Sequence, residues 1–433
     1  MKELFKKIVI HILTIESRIV LWRFKPRIIA VTGNVGKTSA KDSIYTALSK
    51  SLYIRKNQKS FNSEIGTPLT ILGLQNAWNS PLLWTLNILK GALVPFTFKY
   101  PKWLVLEVGV DRPGDIDRVA KWLKPDIAVF TTFPTVPVHV EYFNSPEDVI
   151  KEKKKLIKYL KVDGELILNA DDPKVLKCKE DSKRKVVTYG IHEPADVTLT
   201  HDSVIYEDFE GLKVPTGISF RVNYGGNSVP VALHGVLGVQ HMYPVISAIA
   251  TGLSIGIPFL DMTSALGYHK PPLGRMNLID GINRSTIIDD SYNASPVAME
   301  KAIDALSSLE ISGQKIAVLG DMLEIGHFSA REHKRIGEYV ANNKINHLFA
   351  IGLRSKDIAR SAIESGMNES NVHWFNKSEE AIEEIQKLIN PGSAILVKGS
   401  QGIRTEKIVV GIMKDPSRRK ELLVRQEDIW GAK

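Results

Sequence analysis

The stretch Arg27-Ile28-Ile29-Ala30-Val31-Thr32-Gly33-Asn34-Val35-Gly36-Lys37-Thr38-Ser39 decides the fold class. After the break at Pro26, Arg27–Thr32 reads as a short buried strand, Gly33–Ser39 as a turn, and Lys37 onward as a helix reaching Ser49. A phosphate cradle needs this order. Glycines let backbone N–H groups approach the anion, the helix N-terminus adds partial positive charge, and Lys37 reaches the terminal phosphates. Thr38 can set its hydroxyl on a bound magnesium. The spacing departs from G-x-x-x-x-G-K-T, because Val31 stands where the first glycine would be. In its strand–turn–helix setting the segment Gly33, Asn34, Val35, Gly36, Lys37, Thr38 and Ser39 reads as a nucleoside-triphosphate site, against an ordinary glycine turn.

Outward from this loop, further strands are expected at Leu104–Val108, Ile127–Thr131 and Leu166–Leu168, each followed by turn or helix signals. Strands alternating with helices predict an α/β domain with a mostly parallel sheet. From about Val186 to His234 the texture becomes alternating apolar and polar residues broken by glycine, which predicts a small antiparallel side sheet; a helix near Gln240–Gly256 follows. Pro271-Pro272-Leu273-Gly274 marks a boundary. Beyond it, strands near Ser285–Asp289, Ile316–Leu319, His347–Ile351 and Ala394–Val397 predict a second, Rossmann-like domain. The expected division is an amphipathic helix at 1–26, a central domain at 27–271, a C-terminal domain at 272–415 and a tail at 416–433.

Composition excludes several classes. With 433 residues, 43% hydrophobic and 24% charged, the chain is neither disordered nor fibrous. One cysteine, Cys178, rules out a disulfide-stapled scaffold and a cysteine zinc site, and suits the cytoplasm. The net charge of +9 fits a polyanionic ligand or an anionic membrane surface; nucleic acid is not expected. No stretch is long and apolar enough to span a bilayer, and no small-residue cleavage site follows the N-terminal apolar part, so no signal peptide is expected. In Phe5–Phe24, Lys7, His11, Thr14 and Arg18 recur at helical spacing, with Ile8, Ile12, Ile15, Ile19 and Trp22 on the other side. This basic, Trp-bearing amphipathic helix suits a membrane interface or packing on the domain behind it. Pro81–Phe98, rich in Leu, Trp and Phe, reads as core or as a second membrane-facing patch.

A phosphate loop needs an acid for its metal. Glu107, at the end of Leu104-Val105-Leu106, is the candidate, since a strand's C-terminal end opens on the same face as the loop. Alone, such an acid also serves as a solvated cap. His139 alone is equivocal, and Lys153, inside Lys151-Glu152-Lys153-Lys154-Lys155, reads by composition as part of a solvated helix face.

Taken together and in order, these segments resemble the Mur ligase family, within it the branch that adds D-alanyl-D-alanine to a UDP-muramoyl tripeptide. The likeness runs from about Ile28 to Val410. It rests on the shortened loop TGNVGKTS, on Asn62-Ser63-Glu64-Ile65-Gly66-Thr67-Pro68-Leu69-Thr70 with Ser63 for a usual Asn, and on Glu107-Val108-Gly109 with Pro113-Gly114-Asp115-Ile116. It continues through His139-Val140-Glu141-Tyr142-Phe143-Asn144-Ser145 and Asn169-Ala170-Asp171-Asp172-Pro173. In the last domain Gly274-Arg275-Met276, the run Asp289–Pro296, Leu319-Gly320-Asp321-Met322-Leu323-Glu324 and Val397-Lys398-Gly399-Ser400 follow.

The resemblance implies an ATP-dependent peptide ligase of peptidoglycan synthesis that works through an acyl phosphate and releases ADP and phosphate. It implies two Mg2+ ions held with Thr38, Glu107, His139 and a carbamylated Lys153, where the family's usual acid two residues on is replaced by Lys155. It assigns ATP to the loop with Arg275, Asp290 and Asn293, and the acceptor dipeptide to Lys398, Ser400 and Arg404. Where the family carries G-x-H-N-x-x-N to read adenine, His241 and Pro244 stand here. Relatives also carry an N-terminal domain that grips the UDP-muramoyl part, and only 32 residues precede Gly33. The expectation is therefore a cytoplasmic ligase, held peripherally at the inner membrane face by its first helix. A lipid-linked or polyglutamate donor, and a non-catalytic scaffold with the same fold, are the alternatives.

Overall fold

The computed structural model describes residues 2–57, 64–78 and 80–426. Asn62 and Ser63 of the Asn62–Thr70 segment, and the tail from residue 427, lie outside the described residues. Nine strands form the first sheet: β1 (Arg27–Thr32), β2 (Ile54–Lys56), β3 (Trp103–Glu107), β4 (Ile127–Phe130), β5 (Glu165–Asn169), β6 (Lys185–Gly190), β7 (Val197–Phe209), β8 (Leu212–Tyr224) and β9 (Asn227–His234). Their order is β2-β3-β1-β4-β5-β6-β7-β8-β9. The central strands are covered on both faces, which is why β1 and β3 are nearly unbroken apolar runs. Ile29, Val31 and Val105 face α2 (Lys37–Leu48) and the helix Met242–Ser254. Ile28, Ala30, Leu104 and Leu106 face the layer of α1 (Lys2–Phe24), α3 (Gly66–Leu72), α4 (Pro81–Leu93), α5 (Asp115–Leu123) and α6 (Pro146–Tyr159).

The expected antiparallel side sheet is corrected in one respect: it is not separate. Lys185–Gly190 pairs parallel with β5, β7 pairs parallel with β6 through Tyr189↔Val197 and Gly190↔Thr198, and only β7, β8 and β9 run antiparallel. The Asp171 carboxylate makes this continuity possible. It accepts hydrogen bonds from the backbone N–H groups of Ile191, His192 and Glu193 at 2.6, 3.0 and 2.7 Å and so pins the turn between β6 and β7.

The second sheet contains β10 (Asn277–Asp280), β11 (Thr286–Asp290), β12 (Lys315–Gly320), β13 (His347–Ile351), β14 (Val372–Phe375) and β15 (Ala394–Lys398), in the order β10-β11-β15-β12-β13-β14. All neighbours are parallel except β10 with β11. The short edge strands β2, β10 and β14 are the ones the sequence pattern does not announce. Register places functional candidates side by side: Val31 lies opposite Glu107 on β1 and β3, and Asp290 opposite Lys398 on β11 and β15.

The first helix packs on its domain, but with an unexpected face. Val9, Leu13 and Val20 are buried, whereas Phe5, Ile8, Ile15, Ile19 and Trp22 are exposed. Gly91 lets α4 approach α1, since a Cβ there would lie 2.1 Å from Glu16 Oε2. Burial of Glu16 at this crossing raises its carboxyl to about 7. The Pro81–Phe98 segment is not core: α4 buries only Trp84 and Gly91.

Candidate active site

The turn after β1 is shaped by two glycines. A Cβ on Gly33 would lie 2.0 Å from Thr131 Oγ1, so only glycine lets the loop pass the end of β4. Gly36 caps α2 with φ 82 and offers no side-chain cap, leaving the first N–H groups of the helix for an anion. Both polar atoms of the buried Asn34 amide lack a hydrogen-bond partner within the protein, as a loop built around a polar ligand would leave them. Lys37 Nζ donates to the Asn34 carbonyl at 3.2 Å. Desolvation lowers the Lys37 pKa, with Glu107 pulling the other way.

A cavity of about 310 Å³ opens over this loop. Asn34 through Thr38, Glu107 and His139 line it from the central part of the chain, and Arg275, Asn293 and Gln401 from the C-terminal part. Thr38 Oγ1 donates to Glu107 Oε2 at 2.8 Å, joining the two expected magnesium ligands. His139 Nε2 lies 3.5 Å from Asp111 Oδ1, and His139 Nδ1 lies 3.0 Å from Glu324 Oε2 without the alignment of a hydrogen bond. The His139 contact holds the Glu324 carboxyl below the usual carboxylate range, against burial. The His139 backbone N–H also donates to the Glu324 carbonyl at 2.9 Å, and both residues adopt positive φ, a strained geometry typical of functional junctions. Arg275 lies over the Tyr292 ring at 4.3 Å.

Asp111, Tyr292 and Glu324 are site residues that the sequence reading did not select. Glu324 sat in a quoted block, but only its long-range contact with His139 shows what it faces.

Lys153 requires a correction. It is not on a solvated face: it is 1% exposed. Val149, Ile150, Leu156 and Ile157 bracket it at helical spacing on the buried side of α6, a periodicity visible in the sequence. Burial lowers its pKa well below the ordinary lysine value, and Lys37 adds to that shift, while Asp111, Glu107 and Glu152 oppose it. Lys155 directs its charge elsewhere, to Asp117 at 2.7 Å and Glu152 at 2.8 Å.

The remaining candidates do not line the cavity. Lys398 Nζ donates to the buried Asp290 Oδ2 at 2.6 Å and to the half-buried Asn293 carbonyl at 3.0 Å. Ser400 Oγ accepts from Leu323 N–H at 2.9 Å. Arg404 pairs with Glu406 at 2.6 Å, a carboxylate that also takes Arg425 at 2.8 Å.

His241, which stands at the altered adenine segment, is a fixed structural link. Its Nε2–H donates to the Arg275 carbonyl at 2.7 Å, and burial lowers its pKa to about 4. Between pH 6.5 and 4 the unfolded chain carries a proton on this ring that the native ring lacks, so stability present above pH 6.5 is lost on acidification. The difference between 6.5 and about 4 corresponds to about 3–4 kcal/mol at most. Glu16 and Asp289, raised to about 7 and about 6 by burial, act with the opposite sign, so the effect is read as a difference. Denaturant titrations of His241→Gln beside the parent should show a shallower loss of stability over this window; parallel curves would show that the ring does not titrate as described.

Comparison with known proteins agrees with this geometry. The Mur ligase middle domain family matches residues 31–251, and the family described as Mur ligase, glutamate ligase domain matches residues 274–401. The Bacillus subtilis protein named UDP-N-acetylmuramoyl-tripeptide--D-alanyl-D-alanine ligase is 30% identical over 390 residues, spanning 90% of this chain and 76% of the relative. Among solved structures, MurF from Acinetobacter baumannii superposes with a TM-score of 0.76 at 23% identity, covering 93% of this chain and 80% of that one. MurF ligase from Thermotoga maritima in complex with ADP gives 0.73 at 22% identity, covering 95% and 84%. With the phosphate loop, the two α/β sheets and both family matches in sequence order, this chain belongs to the Mur ligase family.

Proposed function

We propose that this protein is the ATP-dependent ligase that joins D-alanyl-D-alanine to the carboxylate of a UDP-muramoyl tripeptide, releasing ADP and phosphate. The observation that carries this is the single cavity in which the uncapped loop and Lys37, Glu107 and His139 meet Arg275 and Asn293 from the other sheet, in a chain aligned with most of a relative named for that reaction. The 27–271 domain holds the phosphates and the 272–415 domain the ribose, so closure of one on the other completes the site.

In the reaction, a donor carboxylate oxygen attacks the γ-phosphorus. The bond from that phosphorus to the β,γ-bridging oxygen breaks, and ADP leaves with the electron pair. The dipeptide's amine nitrogen then attacks the acyl carbon, the carbon–oxygen bond to phosphate breaks, and the nitrogen loses a proton as the amide forms. Lys37 and the α2 N–H groups hold the phosphate oxygens while negative charge moves from donor to ADP. Arg275, Asp290 and Asn293 position the nucleotide. The acceptor carboxylate is assigned to Lys398, Ser400 and Arg404, which must then leave the protein partners they hold here.

Among the described residues, no three His, Cys, Asp or Glu side chains gather as a ready-made metal site. That suits magnesium, which is commonly held by one or two protein ligands together with substrate phosphates. The hydrogen-bonded Thr38–Glu107 pair fits one such ion; the assignment of a second to His139 and Lys153 rests on the resemblance, with Asp111 the acid near both. Bound there, the two ions would offset charge at the γ-phosphate. Lys153 fits carbamylation, because an uncharged amine adds to CO2 and loses a proton, giving a carboxylate-like group. ATP and a nucleotide-linked precursor put the reaction in the cytoplasm, with α1 touching the inner membrane face.

Phosphate release from ATP tests the reading. Release is expected only when both the UDP-muramoyl tripeptide and D-alanyl-D-alanine are present, with product identified by mass spectrometry. Release without a donor would mean a different NTPase; release with another donor alone would move the substrate; none at all would favour the scaffold alternative.

A further inference from the structure

We propose that α1 and α4 form one docking face for an anionic lipid bilayer, with the cation-lined cleft beside α1 receiving lipid headgroup phosphates. The inference goes beyond the ligase chemistry and stands without it.

The apolar surface is large and made by two helices. On α1, Phe5, Ile8, Ile15, Ile19 and Trp22 point outward, and Trp22 is 77% exposed. On α4, Leu82, Leu86, Leu89 and Leu93 do the same, and the chain beyond the helix adds Phe96, also 77% exposed, and Phe98. At 100° per residue, Glu16, which meets α4 at Gly91, lies on one flank of the α1 stripe, and Lys7 and Arg18 lie on the other. α4 therefore borders the stripe on one side, with its exposed leucines on the face turned away from Gly91, and cations edge the stripe on the opposite side. Folded chains seldom leave so many large apolar side chains adjacent and uncovered without a partner.

Charge selects the partner. Between Lys6 and Lys25 the sequence has one acid, Glu16, which is buried; from residue 65 to residue 106 it has none, while Lys90, Lys99 and Lys102 occur there. On the cationic flank lies a cleft of about 970 Å³, lined by Arg18, Lys25, Lys121 and Lys124 with the indoles of Trp22 and Trp122, and by Arg118 and Lys161, which already pair with Glu64 and Asp115 and with Asp126. Its carboxylate, Asp117, is already bonded to Lys155 at 2.7 Å and Tyr159 at 2.6 Å. Apolar side chains, interfacial tryptophans and a cationic border match the layered chemistry of a membrane surface. A second copy of this chain docked about a twofold axis would bring the same cations together and is disfavoured. Among the described residues no helix is long and apolar enough to cross a membrane, so contact is in the interfacial plane.

The full chain is tested by flotation with vesicles of phosphatidylglycerol mixed equally with phosphatidylcholine, and with phosphatidylcholine alone. Removing the first 25 residues is a poor variant, because it strips Val9, Leu13 and Val20 from the core. Exposed substitutions avoid this. Ile15→Glu/Ile19→Glu and Leu86→Glu/Leu89→Glu should each lower binding to the anionic vesicles by about tenfold or more. Lys121→Glu/Lys124→Glu and added salt should do so too, with melting temperatures unchanged. Absence of flotation on anionic vesicles, or equal binding to neutral ones with no effect of the cleft variant, overturns the proposal. So does a concentration-dependent dimer that Ile15→Glu/Ile19→Glu dissociates. Phosphate release measured on the same samples separates loss of lipid binding from failure of the ligase reading.

Discussion

Lys153→Ala is expected to lower turnover by about a thousandfold or more while the protein still folds, which corresponds to about 4 kcal/mol of transition-state stabilisation. The side chain is buried, and its amine is pushed toward the neutral form by burial and by Lys37. A neutral amine can add CO2, and the resulting anion would face Lys37 at close range, turning a repulsion into an attraction. Asp111 and Glu107, both lining the cavity, are near enough to shift the same group. If the carbamate is what matters, acetate or propionate at high concentration should restore part of the lost rate by filling the vacated volume with a carboxylate. Carbon-13 NMR in labelled bicarbonate should show a carbamate resonance in the parent that the variant lacks, a readout independent of turnover. A core-filling lysine predicts otherwise: a lower melting temperature, an ordinary rate and no rescue.

What could be read beforehand follows from how local each determinant is. The phosphate loop was legible because strand, glycines, lysine and helix start lie within thirteen adjacent residues. The packing of α1 was not. Val9, Leu13 and Val20 on one side and Ile8, Ile15 and Ile19 on another are equally apolar, so periodicity announces a helix without saying which face meets the protein. The continuity of β6 with β7 depends on Asp171 reaching a turn twenty residues on, which no window of hydropathy reports. The burial of Lys153 was misread for a different reason. Composition of the lysine run outweighed the spacing of Val149, Ile150, Leu156 and Ile157, and the spacing was the better signal. His139 and Glu324 meet only because separate parts of the chain fold together, so neither carries its meaning alone.

Lys398→Met should cost about 3–5 kcal/mol of stability, because it leaves Asp290 buried without its ammonium partner. The two side chains are 1% and 7% exposed and 2.6 Å apart. Burial lowers the Lys398 pKa and Asp290 opposes that shift, so each charge depends on the other to remain in the core. Asp290→Leu alone strands the lysine and should cost about as much. The double variant Lys398→Met/Asp290→Leu removes both charges and should recover most of the lost stability, since replacing a buried pair by apolar side chains is often neutral or better. The functional question is put to the Lys398→Met single variant at a temperature where its melting curve shows it folded. If Lys398 binds the acceptor carboxylate, the Lys398→Met single variant should raise the KM for D-alanyl-D-alanine about tenfold or more while the KM for ATP holds. If Lys398 only fixes Asp290 and the Asn293 carbonyl, the defect should fall on ATP instead, and the dipeptide KM should stay unchanged. The present geometry, with the ammonium already bonded to both Asp290 and Asn293, gives Lys398 a positioning role toward the nucleotide. Acceptor binding then requires the dipeptide to draw Lys398 away from Asp290, or Arg404 to take the carboxylate in its place, and an Arg404→Ala variant measured against both substrates separates those two routes.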